Sequence, residues 1–281
     1  MRFVFIQIQH SGLFISLQNI KYNKNFYKKC LQISVFELKY IKTDIRGVYM
    51  KRVLLKLSGE ALSNGSGEIY DMSFVDKVAK ALKEAKETGI EIGVVIGAGN
   101  IWRGRQGADM DRVDADRMGM LATVINSICI KDALRRVGVD AVVMSSVPMA
   151  PLTENYSSDV AKKYLSEGKI VVFGCGLGIP FLSTDTAGAV KAAEIEADAM
   201  FMAKNVDFIY TDDPRKNPNA KKLERVKASE VLAMNLKAID STATAFCMSN
   251  GMPIHVFGLK DPYDILKALR GESVGTIVSA E

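Results

Sequence analysis

The sequence predicts a three-layer α/β fold, with helices covering both faces of a mainly parallel sheet. Three observations lead there. From Met50 onward, short apolar runs alternate with stretches of helical periodicity. The loops that follow several of the runs concentrate glycines and charged residues, and no repeat or low-complexity tract interrupts the pattern. Strands alternating with roughly 10–20-residue helices call for right-handed crossovers and a sheet buried on both sides.

The runs that read as strands are 52–57 (RVLLKL), 92–96 (IGVVI), 141–144 (AVVM), 170–173 (IVVF), 199–203 (AMFMA) and 254–257 (IHVF). Between the first two, Phe74, Val75, Val78, Leu82 and Ala85 fall on one face of a helix over 72–88, with Asp71 or Ser73 as cap and Gly89 as stop. Further helices are expected near 116–136, near 157–167, after Thr184, and around 241–249 and 263–270. His255, in PIHVF, reads as a strand residue without chemistry. Met118 and Met120 read as core or interface packing.

A chain of 281 residues suits one large domain or two small ones, and 48% hydrophobic with 25% charged residues is ordinary soluble globular composition. The net charge of +5 is not a nucleic-acid signature once it is located. Residues 1–49 hold eight Lys/Arg against Glu37 and Asp44, which leaves 29 basic and 30 acidic residues for the rest. The main body is neutral. Cys30, Cys129, Cys175 and Cys247 are far apart and form no CxxC pair, which excludes a zinc ribbon and argues against a disulfide framework. A reducing cytoplasm fits this usage best.

Composition shifts sharply at Met50. The preceding segment is rich in Ile, Phe, Asn, Lys and Tyr, and its apolar stretch is broken by Gln7, Gln9 and His10. It is neither a good signal peptide nor a membrane span, although the alternation in FVFIQIQ is compatible with a strand. Residues 1–49 are therefore expected to be an N-terminal appendage or an over-extended reading frame, with residues 50–281 forming the domain.

The chemistry is expected at the carboxyl ends of the strands, where ligands gather in open α/β sheets. LSGE (57–60) follows the first strand, GAGNIWRG (97–104) the second and GCGLGIPFLSTD (174–185) the fourth. Neither of the last two is a dinucleotide fingerprint, because its third glycine would fall on Trp102 or Ile179. The P-loop pattern is absent as well. Three glycine-bearing loops joined by Lys56 and Arg103 nonetheless point to one extended phosphate site made of backbone N–H groups and positive charge.

KLSGEAL, VIGAGNIWRG, DRMGMLATVIN, GLGIPFLSTDTA, EIEADAM and YTDDP occur in that order. Together they resemble the bacterial UMP kinases of the amino-acid kinase superfamily, over essentially all of residues 50–281. The resemblance implies an αβα sandwich that makes UDP from UMP and ATP with Mg²⁺. It further implies a cytoplasmic homohexamer in pyrimidine nucleotide synthesis, with no nucleic-acid or membrane partner. It raises GTP and UTP as effectors without placing them on any residue.

On that resemblance Lys56, Leu57, Ser58 and Gly59 meet the ATP phosphates, with Lys56 stabilising the transferring group. Ala98 serves UMP, Gly99 serves ATP, and Arg103 reaches phosphate with a planar fork suited to its oxygens. Asp116 accepts from the UMP ribose hydroxyls; read by itself, an Asp at a helix start is a cap. Leu177, Gly178, Ile179, Pro180, Phe181, Leu182, Ser183 and Thr184 enclose the uracil and the UMP phosphate. Asp185 orients Lys56 or helps hold Mg²⁺, which otherwise rides on the ATP phosphates; read by itself, Asp185 caps the next helix. Lys204, Tyr210 and Asp213 fall at the ATP site. Three positions depart from the family pattern: Ala98 and Phe208 stand where glycine is common, and Lys204 where Thr or Asn is usual.

Two other readings stay open. One is a kinase of the same superfamily acting on an amino acid or carbamate, and the other is a non-catalytic UMP or UTP sensor. Mass spectrometry of the native protein is expected to find its N-terminus at Met50; peptides from residues 1–49 would overturn that boundary.

Overall fold

The computed structural model describes residues 50–281 apart from Ser66, residues 103–108 and Arg215. Its strands, in chain order, are β1 (Arg52–Leu57), β2 (Glu91–Ile96), β3 (Ala141–Ser145), β4 (Glu154–Asn155), β5 (Ile170–Gly174), β6 (Ala199–Lys204), β7 (Ile209–Tyr210), β8 (Lys222–Leu223), β9 (Arg225–Lys227), β10 (Ile254–Gly258) and β11 (Thr276–Ser279). The helices are α1 (Gly59–Ser63), α2 (Met72–Glu87), α3 (Arg112–Arg136), α4 (Ser158–Ser166), α5 (Thr184–Glu194), α6 (Ala228–Ala233), α7 (Ser241–Ser249) and α8 (Asp264–Leu269).

Nine strands form one sheet in the order β4-β3-β5-β2-β1-β6-β10-β11-β9, while β7 and β8 make a separate antiparallel ribbon. Every pairing in the large sheet is parallel except β10 with β11. The mainly parallel three-layer sandwich expected from the alternation of elements is the one observed.

Period-two alternation sorts β1 between the two helical layers. Val53, Leu55 and Leu57 join the core beneath α2, α3 and α8, whereas Leu54 joins the core beneath α4, α5, α6 and α7. Leu54 and Leu55 are both fully buried, and each such side chain contributes about 1.5–3 kcal/mol. At the opposite end of β1, Arg52 pairs with Glu91 at 2.6 Å, and the Asp198 carboxylate accepts from the backbone N–H groups of Lys51 and Arg52. The strand is thus held at its start as well as by its flanks.

All six expected strands and all six expected helices are present, with two boundary corrections. Asp71, not Ser73, caps α2, accepting from the Phe74 N–H at 3.1 Å. The long helix α3 begins at Arg112 under an Asp111 cap that accepts from Val113 and Asp114. Asp116 therefore lies one turn inside that helix and does not cap it. The elements without a sequence signal, such as α1, α6 and the short strands β4, β7, β8 and β9, span only two to six residues each. That is too short for a period to register.

Of the cysteines among the described residues, Cys175 and Cys247 are buried and Cys129 is half-buried, all free. Met118 is not core: it stands exposed on α3 in line with Leu121, Ile125 and Ile128. No helix among the described residues is long and apolar enough to cross a membrane.

His255 lies on β10 between the rings of Phe201 and Phe257, with centroids 5.4 and 5.8 Å away, and its Nε2 meets the Val274 carbonyl. Burial holds its pKa below the ordinary 6.5, although the Val274 carbonyl opposes this. The unfolded chain consequently takes up this proton first, so the native state is fully favoured above about pH 6.5 and loses stability as pH falls from there. Unfolding midpoints measured between about pH 7 and 5.5 are expected to fall less steeply in His255→Gln than in the parent. Parallel slopes would show that His255 does not carry this dependence.

Candidate active site

The carboxyl ends of β5, β2, β1 and β6 lie side by side, because these four strands are neighbours and parallel. The chain order changes direction at β1, which has β2 on one side and β6 on the other. This is the switch point at which an open sheet leaves a crevice. The loops after β1, β2 and β5 are the three glycine-bearing segments.

Alternation along the strands brings two lysines to the same side of the sheet there. Leu54 on β1 and Met200 and Met202 on β6 pack beneath α5. Lys56 and Lys204 continue those two rows at the strand ends. The first turn of α5 delivers Asp185 between them. Lys56 Nζ lies 3.0 Å from Asp185 Oδ1, and Lys204 Nζ lies 2.5 Å from Oδ2. Their side chains are only 11%, 16% and 11% exposed for Lys56, Lys204 and Asp185.

Burial alone would raise the Asp185 pKa, but the charges of Lys56 and Lys204 outweigh it and hold the carboxyl below its usual range. Lys204 is pushed down, chiefly by burial and further by Lys56, against the pull of Asp185. The two ammonium groups meet on one carboxylate, and the Asp240 carboxylate nearby acts on Lys204 as well. Lys56 is therefore no solvated turn lysine, and the α5 cap is Ser183, which accepts from Thr186 N–H at 3.0 Å.

The β1 and β2 loops meet through glycine. A Cβ on Gly59 would stand 2.2 Å from the Gly97 carbonyl oxygen, and one on Gly99 2.7 Å from Glu60 Cγ. Ser58 N–H donates to Ala203 O and Gly97 N–H to Leu57 O, which stitches both loops to the sheet. Ala98 keeps a negative φ, so the alanine fits without the left-handed backbone that glycine would supply.

Three polar residues that the sequence reading did not single out hold this loop. Asn126 Nδ2 donates to Gly97 O at 2.7 Å and exchanges amide hydrogen bonds with Asn100, while Tyr70 O–H donates to Asn126 Oδ1 at 2.7 Å. The available signal was a run of polar Thr123, Asn126 and Ser127 among apolar residues in the helical stretch ATVINSI, all three of which prove buried. Asp240 was missed too. Its Oδ2 accepts from the hydroxyls of Ser183 and Thr186, on either side of Asp185, while its Oδ1 caps α7.

The β5 loop turns sharply, with Cys175 and Phe181 both at positive φ (64° and 70°). Cys175 N–H donates to Thr123 Oγ1, and Phe181 N–H donates to Asp116 Oδ2 at 2.8 Å. Arg112 Nε reaches the same oxygen at 3.0 Å, its guanidinium 5.6 Å from the centre of the Phe181 ring. Ile179, Phe181 and Leu182 are exposed, an apolar rim beside a carboxylate. Asp116 and the 177–184 loop are thus brought together.

Tyr210 lies on the β7–β8 ribbon, its hydroxyl donating to Asp207 at 2.9 Å, and the Lys222 ammonium covers the Phe208 ring at 4.5 Å. Asp213 follows the ribbon strand, with its N–H on Asp212 Oδ1. Arg103 lies outside the described residues. Among the described residues, no three His, Cys, Asp or Glu side chains gather as a metal cage.

Residues 51–258 match the model of the amino acid kinase family. The chain belongs to that family. Solved structures agree: a UMP kinase from Bacillus anthracis is 35% identical with a TM-score of 0.79, over 83% of this chain and 97% of that one. A UMP kinase from Ureaplasma parvum is 34% identical with a TM-score of 0.78, over 83% and 100%. A uridylate kinase from Archaeoglobus fulgidus is 25% identical with a TM-score of 0.64, over 81% and 99%.

In this amino acid kinase the Gly59–Gly97 contact sets how closely two site loops approach. Alanine at 59 would gain at most about 1 kcal/mol of helix propensity. Forcing a methyl against a backbone carbonyl costs about 1–3 kcal/mol, so the clash wins. Gly59→Ala is expected to lower the unfolding midpoint. Gly119→Ala, whose Cβ would meet only Trp102 at 3.6 Å among the described residues, is expected to keep or raise it. Equal effects would mean that the Gly59 contact relaxes freely.

Proposed function

We propose that this kinase phosphorylates UMP to UDP with MgATP by direct in-line transfer. The observation that carries the reading is the Lys56–Asp185 pair, set where the β1 and β2 glycine loops meet the N-terminus of α5. Its support is the likeness over most of the chain to proteins described as UMP kinases.

The acceptor is a phosphate whose second pKa is near ~6, so it is largely ionised at neutral pH and needs no general base. The obstacle is bringing two polyanions together, and the remedy is positioning plus positive charge. Lys56 neutralises the transferring group. Ser58, Gly59 and Gly99 offer backbone N–H groups to the ATP phosphates, and Arg103 adds a cation. Tyr210 and Asp213 hold adenine and ribose.

Asp116 binds the UMP ribose in place of Arg112 and the Phe181 N–H. Ala98 and residues 177–184 enclose the phosphate and uracil, with the α5 N-terminus favouring the anion. Asp185 holds Lys56. Because both of its oxygens face ammonium groups, Mg²⁺ is read as part of MgATP, on the phosphate oxygens it prefers. The product feeds pyrimidine nucleotide synthesis in the cytoplasm.

Self-association as a homohexamer, with GTP and UTP as effectors, belongs to the same reading. It is supported by the exposed row Met118, Leu121, Ile125 and Ile128 on α3. Apolar residues at such spacing on a helix want a partner surface.

ADP release from MgATP, tested with UMP, CMP, dTMP, AMP, glutamate and aspartate, is expected with UMP. Turnover with an amino acid instead would keep the fold and overturn the acceptor. Lys56→Ala is expected to lower kcat by about 10²–10³-fold while calorimetry still detects UMP binding. Equal loss of both would make Lys56 a structural or uridine-site residue, and UMP binding without any turnover would favour a sensor.

A further inference from the structure

Lys204 departs from the family pattern, and its surroundings give it a task other than touching ATP. Its ammonium lies 2.5 Å from Asp185 Oδ2 and 2.5 Å from the Ala238 carbonyl oxygen. Two of its three protons are thus taken inside the protein, on a side chain only 16% exposed. Lys56 sits on the other oxygen of the same carboxylate, at 3.0 Å. Two residues beyond Ala238, Asp240 accepts from Ser183 and Thr186, which flank Asp185 in the first turn of α5. The 238–240 segment therefore grips that turn twice, once through Asp240 and once through Lys204.

We propose that Lys204 is a positioning residue for phosphoryl transfer: anchored on Ala238 O, it fixes the Asp185 carboxylate so that Oδ1 is presented to Lys56. This deepens the kinase reading above and rests on it. Without Lys204, Oδ2 is a buried acceptor facing no donor among the described residues, and the carboxylate is free to turn or to take Lys56 on either oxygen. Misplacement of a catalytic group by about 1 Å can cost about 10²-fold in rate. The loss should therefore fall on the chemical step and spare nucleotide binding, because Lys204 acts through Asp185 and Lys56.

The test compares the parent protein, Lys204→Met, Asp185→Asn and the double variant. Lys204→Met is expected to lower kcat by about 10²-fold, with KM for each substrate and the affinity for a non-hydrolysable ATP analogue changed by less than about threefold. Its shift in unfolding midpoint is expected to shrink by more than half when Asp185 is already Asn. Should Lys204→Met fail to fold, Lys204→Gln keeps a donor for Ala238 O and is read instead.

Loss of analogue affinity with kcat retained would make Lys204 an ATP contact and overturn the proposal. Additive midpoints would overturn it as well, by showing that Lys204 does not act through Asp185. A parent protein inactive on UMP would sink the UMP reading alone, because the unfolding cycle and the analogue affinity are measured without an acceptor.

Discussion

A carboxylate shared by two buried ammonium groups is the constraint around which this protein is arranged. Burying charge costs several kcal/mol per ion before any attraction is counted. The group at Asp185 is therefore tolerable only if every partner arrives together. Strand alternation supplies the two lysines, the first turn of α5 supplies the acid, and Ala238 O and Asp240 hold the turn. Removing one member of such a group leaves a buried charge unpaired, a loss of about 3–5 kcal/mol in comparable cases. A core built for stability alone would place apolar residues there. In the proposed reaction the retained charge serves two polyanionic substrates.

The sheet order makes the placement possible. Because β1 lies between β2 and β6, its loop is flanked by the loops of both, and the glycines at 59 and 97 let two of them touch. In the proposed reaction close approach has a chemical purpose, since transfer between two phosphates needs the reacting atoms about 3–3.5 Å apart. Buried Asn126, paired with half-buried Asn100, and Tyr70 hold the β2 loop in that position from the opposite helical layer. Burial raises the Tyr70 hydroxyl to about 12, with Cys129 adding to it, so it remains a donor to Asn126 at any ordinary pH.

On the acceptor side the arrangement is one of exchange. Asp116 already accepts from Arg112 and from the Phe181 N–H, and Phe181 holds positive φ at the exposed tip of its loop. A ligand hydroxyl that takes Asp116 must displace or share with groups of the loop that would close over it. In the proposed reaction this ties binding of the ribose to the conformation of residues 177–184.

The sequence by itself determined the layers, the parallel sheet and the three loops at its carboxyl edge. Those follow from local period, from glycine's rarity outside turns and from the order of elements. Its resemblance to the bacterial UMP kinases also pointed to Lys56, Asp185 and Asp116 as expected site residues. Only the tertiary structure decided who pairs with whom. Lys204 reads as one more ATP contact until β6 is seen beside β1, where its ammonium meets Asp185. Asn126 holds no sequence neighbour, and Asp240 reaches Ser183 and Thr186 from more than fifty residues away. The reason is physical: hydrogen bonds and ion pairs between residues from 19 positions apart (Lys204 and Asp185) to 57 (Ser183 and Asp240) depend on strand register and helix placement, and no local pattern encodes either.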